Sequence, residues 1–165
     1  MLALNLLISL ALIWPVLLPG QIAGFAGRWQ LNRDRSEDLT GGLAGAHYAL
    51  EVSQNSRELT IEEQVTIRGR TQPAQPLTYR LDGTSSTAEV SRPIAGTLEL
   101  EARILAKGQQ LELKSTISGD HENAPVTLIT TEFWELIDGG KRLRITRRRE
   151  FGEKSRQMIL VFDRG

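Results

Sequence analysis

The stretch Thr131-Glu-Phe-Trp-Glu-Leu-Ile-Asp-Gly-Gly-Lys-Arg-Leu-Arg-Ile-Thr-Arg-Arg-Arg149 decides the fold. It reads as two strands folded back about Gly139-Gly140. Apolar residues recur at every second position, and two glycines supply the positive φ that a tight hairpin turn needs. Pairing Asp138 with Lys141 carries the register outward, so that Glu135 faces Arg144, Trp134 faces Ile145 and Glu132 faces Arg147. Each charge meets its opposite and the two apolar residues meet each other, at about 0.2–1 kcal/mol per pair. A slip of one residue would undo all three matches and turn each side chain to the other face.

The same period of two runs through most of the chain, broken by Gly, Asn, Asp and Pro. Strands are expected over residues 25–32, 48–54, 57–68, 126–137, 142–150 and 154–163. Shorter alternating runs join them: Leu77, Tyr79 and Leu81; Ser86, Ala88 and Val90; Leu98, Leu100, Ala102 and Ile104; and Leu111, Leu113, Ser115 and Ile117. Asn55-Ser56 predicts a turn that sets Val52 opposite Leu59, Leu50 opposite Ile61 and Tyr48 opposite Glu63. Asp82-Gly83 predicts a type I′ hairpin between its flanking runs, and Lys107-Gly108 another turn. Residues 33–46 form a long Gly- and charge-rich connection with one short helical turn at Ser36-Glu37-Asp38. About nine or ten strands at such spacing favour an all-β fold, an antiparallel up-and-down β-barrel.

The chain has 165 residues, equal numbers of basic and acidic side chains (20 each), no cysteine and two histidines. One domain of this length is expected. The charge balance gives no global attraction to nucleic acid, and the basic run 141–149 is divided between two faces by its alternation. Without cysteine there is no disulfide, thiolate metal site or cysteine nucleophile. His47 and His121 read as loop residues, so no metal site and no cofactor are expected.

Residues 2–18 are a nearly unbroken apolar run, and Arg28 is the first charged side chain. Residues 1–24 therefore read as a signal peptide, with an uncleaved membrane anchor as the alternative, and residues 25–165 as the domain. Export to the periplasm or the extracellular space follows from the first of these.

Some charged residues fall on faces otherwise marked as inward. Glu63 shares a face with Leu59, Ile61, Val65 and Ile67. Glu132 goes with Leu128, Trp134 and Leu136, and Arg147 and Arg149 with Leu143 and Ile145. Buried charges must be paired. Two readings follow. Either Glu63, Glu132, Arg147 and Arg149 form an internal salt-bridge network filling the barrel, with Tyr48 supplying a hydroxyl, or they make the polar end of a ligand cavity with Trp134 beside it. In the second, Arg147 and Arg149 hold an anionic head group against an apolar wall of Leu50, Leu59, Ile61, Leu98, Leu100, Leu113 and Leu143. No G-x-S-x-G, H-E-x-x-H or phosphate-loop motif occurs, and no catalytic residue is assigned.

The opening Phe25-x-Gly27-x-Trp29-x-Leu31-Asn32-x-x-x-Ser36 resembles that of small exported bacterial proteins with lipocalin-like (calycin-type) β-barrels. Thr131-Glu-Phe-Trp-Glu-Leu136, Gly140-Lys-Arg-Leu-Arg-Ile145 and Leu160-Val-Phe-Asp163 resemble later segments of the same group. The resemblance implies that Gly27 and Trp29 are structural. Trp29 would pack across the closed end of the barrel under a late-strand arginine, Arg164 or Arg147. The resemblance bears on fold more than on function; the leading functional reading is a small apolar or amphipathic molecule bound in the lumen. The alternative is a non-catalytic envelope or interaction module whose barrel is filled by its own side chains.

Overall fold

The computed structural model describes residues 22–73, 75–121 and 124–165. The leader expected over residues 1–24 lies, through residue 21, outside them. Among the described residues eleven strands form one antiparallel sheet: β1 (Gly27–Leu31), β2 (His47–Gln54), β3 (Glu58–Ile67), β4 (Arg70–Thr71), β5 (Leu77–Arg80), β6 (Ser86–Val90), β7 (Gly96–Leu105), β8 (Gln110–His121), β9 (Ala124–Ile137), β10 (Arg142–Phe151) and β11 (Lys154–Arg164). Neighbours run β4-β3-β2-β1-β11-β10-β9-β8-β7-β6, with β5 also on β3. The first strand pairs with the last, Trp29 opposite Arg164 and Leu31 opposite Phe162. This is the expected up-and-down barrel. Among the described residues its one break in the ladder falls between β5 and β6, where the Ser86 hydroxyl donates to the Thr78 carbonyl at 3.0 Å.

The β9–β10 register is the expected one throughout: Glu135 faces Arg144, Trp134 faces Ile145 and Glu132 faces Arg147. The β2–β3 register is corrected by two residues. Leu50 faces Glu63, Val52 faces Ile61 and Tyr48 faces Val65. The cause is Asn55, whose side-chain oxygen accepts from the N–H groups of Arg57 and Glu58 at 2.8 and 2.9 Å. That moves the turn centre to Ser56-Arg57. A shift of two keeps every side chain on its expected face.

Asp82-Gly83 does turn the chain, but the runs around it do not pair with each other. The Asp82 carboxylate accepts from both the N–H and the hydroxyl of Thr84, opening a wider loop. Before it β5 joins β3, with Leu59 opposite Tyr79, and after it β6 joins β7. In the 33–46 connection the helical turns lie at Arg33–Arg35 and Gly41–Gly45. Ser36 caps neither. Its hydroxyl donates to the Asn32 carbonyl and accepts the Val161 N–H, tying the connection to β11.

His47 and His121 are strand-terminal residues of β2 and β8, not loop residues, because both ladders continue past the expected turns. Ile104 is 41 % exposed at the end of the β7 face it was grouped with. Arg164 lies over the Trp29 ring, its guanidinium carbon 4.2 Å from the centroid. It also donates to the carbonyls of Ala26 and Gly140 at 3.0 Å. A side chain on Gly27, whose φ is +138°, would meet this guanidinium at 2.9 Å. Residues before β1 pack on the same end. Ala23 donates to the Gly108 carbonyl at 2.7 Å, and Phe25 is wholly buried against Trp134 with ring centroids 6.1 Å apart.

Candidate functional site

Alternation places inward residues at successive heights along the barrel axis, and these form layers. The end that holds Trp29 and Arg164 is filled. Trp29, Phe25, Trp134, Leu50, Leu111 and Phe162 are each at most 1 % exposed. Most of the wall expected to line a cavity belongs to this packed half: Leu50, Leu59, Leu100, Leu113 and Leu143 are core, while Ile61 and Leu98 reach the open half. The strand faces were as expected. The heights came from strand stagger, which alternation does not encode.

Above the packed half lies a layer of charge. Arg147 is 4 % exposed and Glu132 is 8 % exposed. They face each other on β10 and β9, with the Arg147 Nε donating to the Glu132 carboxylate. The Arg147 Nη2 reaches across the barrel to the Tyr48 hydroxyl at 2.9 Å and the Glu63 carboxylate at 2.8 Å. The second Glu132 oxygen accepts the Trp134 indole N–H at 2.7 Å. Among the described residues no buried side-chain polar atom lacks a partner. Burial alone would depress the Arg147 pKa, but the fields of Glu132 and Glu63 reverse this and hold the guanidinium firmly charged. Burial also pushes the hydroxyls of Tyr48 and Tyr79 well above the ordinary phenolic range, and the adjacent carboxylates add to this.

The other half of the barrel is unfilled. A cavity of about 570 Å³ opens above the charge layer, its walls carried by Ile61, Leu77, Tyr79, Leu98, Ile117 and Leu128. Glu63, Glu132 and Arg147 form its floor, and Gln72, Gln75 and Arg92 stand at its mouth. Four of the six expected ligand contacts, Glu63, Glu132, Arg147 and Arg149, thus line one space. Tyr48 and Trp134 support the floor from beneath. Gly27 and Trp29 lie at the opposite end.

Arg149 is exposed, and among the described residues it has no hydrogen-bonded partner, unlike Arg147 two positions earlier. Ser115 and Thr130 also line the cavity, as a directly opposed pair on β8 and β9. Their signal was present in the sequence as polar residues on apolar faces. Arg92 comes from an irregular loop and carried no such signal. Among the described residues no cluster of three or more His, Cys, Asp or Glu side chains is placed to hold a metal.

No protein-family model matches the chain, and no curated protein sequence matches it. A solved structure described as "REP1-NXSQ fatty acid transporter" is similar in fold. It is 12 % identical, the alignment covers 85 % of this chain and 95 % of that one, and the TM-score is 0.54. At this identity the likeness concerns the barrel architecture alone.

Proposed function

We propose that the barrel binds one small amphipathic molecule, its apolar body in the open-end cavity and an anionic head beside Arg149. The observation that carries this is the unfilled volume of about 570 Å³ with largely apolar walls and a few polar groups at floor and mouth. Small-molecule sites commonly enclose about 300–1,000 Å³ of this character. Arg147 is already neutralised by Glu132 and Glu63, so it serves as floor, while Arg149 and, at the mouth, Arg92 are the lining guanidiniums open to a ligand anion. A fatty acid has this distribution of charge and apolar length, in keeping with the name of the structural neighbour. The alternative, a barrel filled by its own side chains, draws on the packed half, where the core leaves no comparable space. The apolar run at the N-terminus supports an exported protein as part of the same proposal.

Native mass spectrometry after gentle desalting is expected to show a co-purified small molecule. Trp134 donates to Glu132, which lines the cavity, so its fluorescence is expected to respond to dodecanoate and dodecanol. Ile117→Trp, which fills the cavity from β8, is expected to abolish both. No co-purified molecule and no response to either probe would leave the filled-barrel module.

A further inference from the structure

A second lobe of the open end, about 700 Å³, lies between the inner faces of β10 and β11, the end of β3 and the Gly41–Gly45 turn. It meets the first cavity at Val65 and Arg149, which line both. Three of its lining side chains are cations: Arg149, Lys154 and Arg156. Among the described residues no carboxylate lines it, and none of the three cations has an acidic partner within 4.0 Å. Arg149 and Arg156 are directly opposed on neighbouring strands. Like charges so placed destabilise a sheet pair. The same strand pair avoids this elsewhere: Arg142 faces Asp163, Arg144 faces Val161 and Arg147 faces Met158. Arg156 is steadied by a bond from its guanidinium to the Thr40 hydroxyl at 2.9 Å. Met158, Phe151, Ile67 and Leu43 supply apolar surface around the cations.

We infer that this second lobe is a phosphate subsite, and that the ligand is a single-chain amphiphile with a phosphate head rather than a simple carboxylic acid. The inference rests on the cavity reading above, since Arg149 joins the two lobes. A phosphate ester presents up to three acceptor oxygens and about two negative charges. It can engage two guanidiniums and an ammonium together, relieving the repulsion between Arg149 and Arg156, whereas a carboxylate offers two oxygens and one charge. With the phosphate among Arg149, Arg156 and Lys154, the alkyl chain passes Val65 into the first cavity.

Isothermal titration of the folded protein at pH 8 tests this with dodecyl phosphate, dodecanoate, dodecanol and inorganic phosphate. Dodecyl phosphate is expected to bind at least about tenfold more tightly than dodecanoate, a difference of about 1.4 kcal/mol. Inorganic phosphate alone is expected to bind far more weakly than dodecyl phosphate. In Lys154→Gln/Arg156→Gln the ratio of dodecyl phosphate to dodecanol affinity is expected to fall by about tenfold. Arg156→Lys, which keeps the charge, is expected to retain part of it. Equal affinity for the phosphate and the carboxylate, or an unchanged ratio in the double variant, would overturn the phosphate subsite and leave the amphiphile cavity standing. Inorganic phosphate binding as tightly as dodecyl phosphate would overturn the joining of the two lobes. Binding of no alkyl probe at all would overturn the cavity reading itself.

Discussion

Replacing Arg147 by Met tests the charge layer. Met keeps much of the aliphatic stem, so little cavity forms, and the loss comes from what the guanidinium leaves behind. Glu132, 8 % exposed, would keep only the Trp134 N–H as a donor. The Glu63 side chain, 39 % exposed, can turn to water and adds little. Breaking a buried pair from one side costs about 3–5 kcal/mol, and Arg147→Met is expected to fall in that range. Glu132→Gln removes the charge but keeps an acceptor for Trp134, so the double variant Arg147→Met/Glu132→Gln is expected to regain at least about 2 kcal/mol of the summed single losses. Urea unfolding followed by tryptophan fluorescence, with a common m-value, gives the four stabilities. Single effects adding to within about 0.5 kcal/mol of the double would refute a coupled, buried pair.

Three further outcomes are expected. Both tyrosines of the chain, Tyr48 and Tyr79, are buried with raised pKa values, so absorbance at 295 nm should show no phenol ionising near the usual value of about 10 while the protein is folded. Because the folded-state pKa exceeds the unfolded one, the stability these groups contribute is fully present below about pH 10 and is lost as pH rises beyond it; a normal titration of folded protein would contradict their burial. Trp29→Ala should cost about 3–5 kcal/mol in urea unfolding, and Gly27→Ala about 1–3 kcal/mol because φ at Gly27 is +138°, with losses under about 0.5 kcal/mol contradicting the closed-end packing. Arg142 and Asn32 hold the Asp163 carboxyl below its ordinary range, so the stability it contributes is present above about pH 4 and is lost as pH falls through the depressed value. Carboxyl NMR titration showing an ordinary Asp163 would remove that claim.

The hairpin from Thr131 to Arg149 was legible because its determinants are local. Two glycines mark the turn, and opposed charges tolerate one register only. The parity of the inward faces was equally legible, so Glu63, Glu132 and Arg147 were placed together correctly from strands far apart in the chain. The resemblance likewise placed an arginine over Trp29, and Arg164 fills that role. Turn chemistry set the limit at Asn55, where a side chain accepting two backbone N–H groups shifted the turn without changing any face. Long-range pairing set it at β5, which follows β3 instead of the hairpin that Asp82-Gly83 favours locally.

Alternation along a strand says which side chains point inward, but not how far along the barrel axis each one sits. Height depends on the stagger between strands, and that is settled only when the sheet closes and β1 meets β11. Hence Leu50 and Leu113 are packed core, while Leu98 and Ile117 line an open cavity. Arg147 and Arg149 share one strand face, yet tertiary structure alone gives them different surroundings. Glu63 and Tyr48 reach across the barrel to Arg147, whereas Arg149, one layer higher, stands beyond their reach at the mouth.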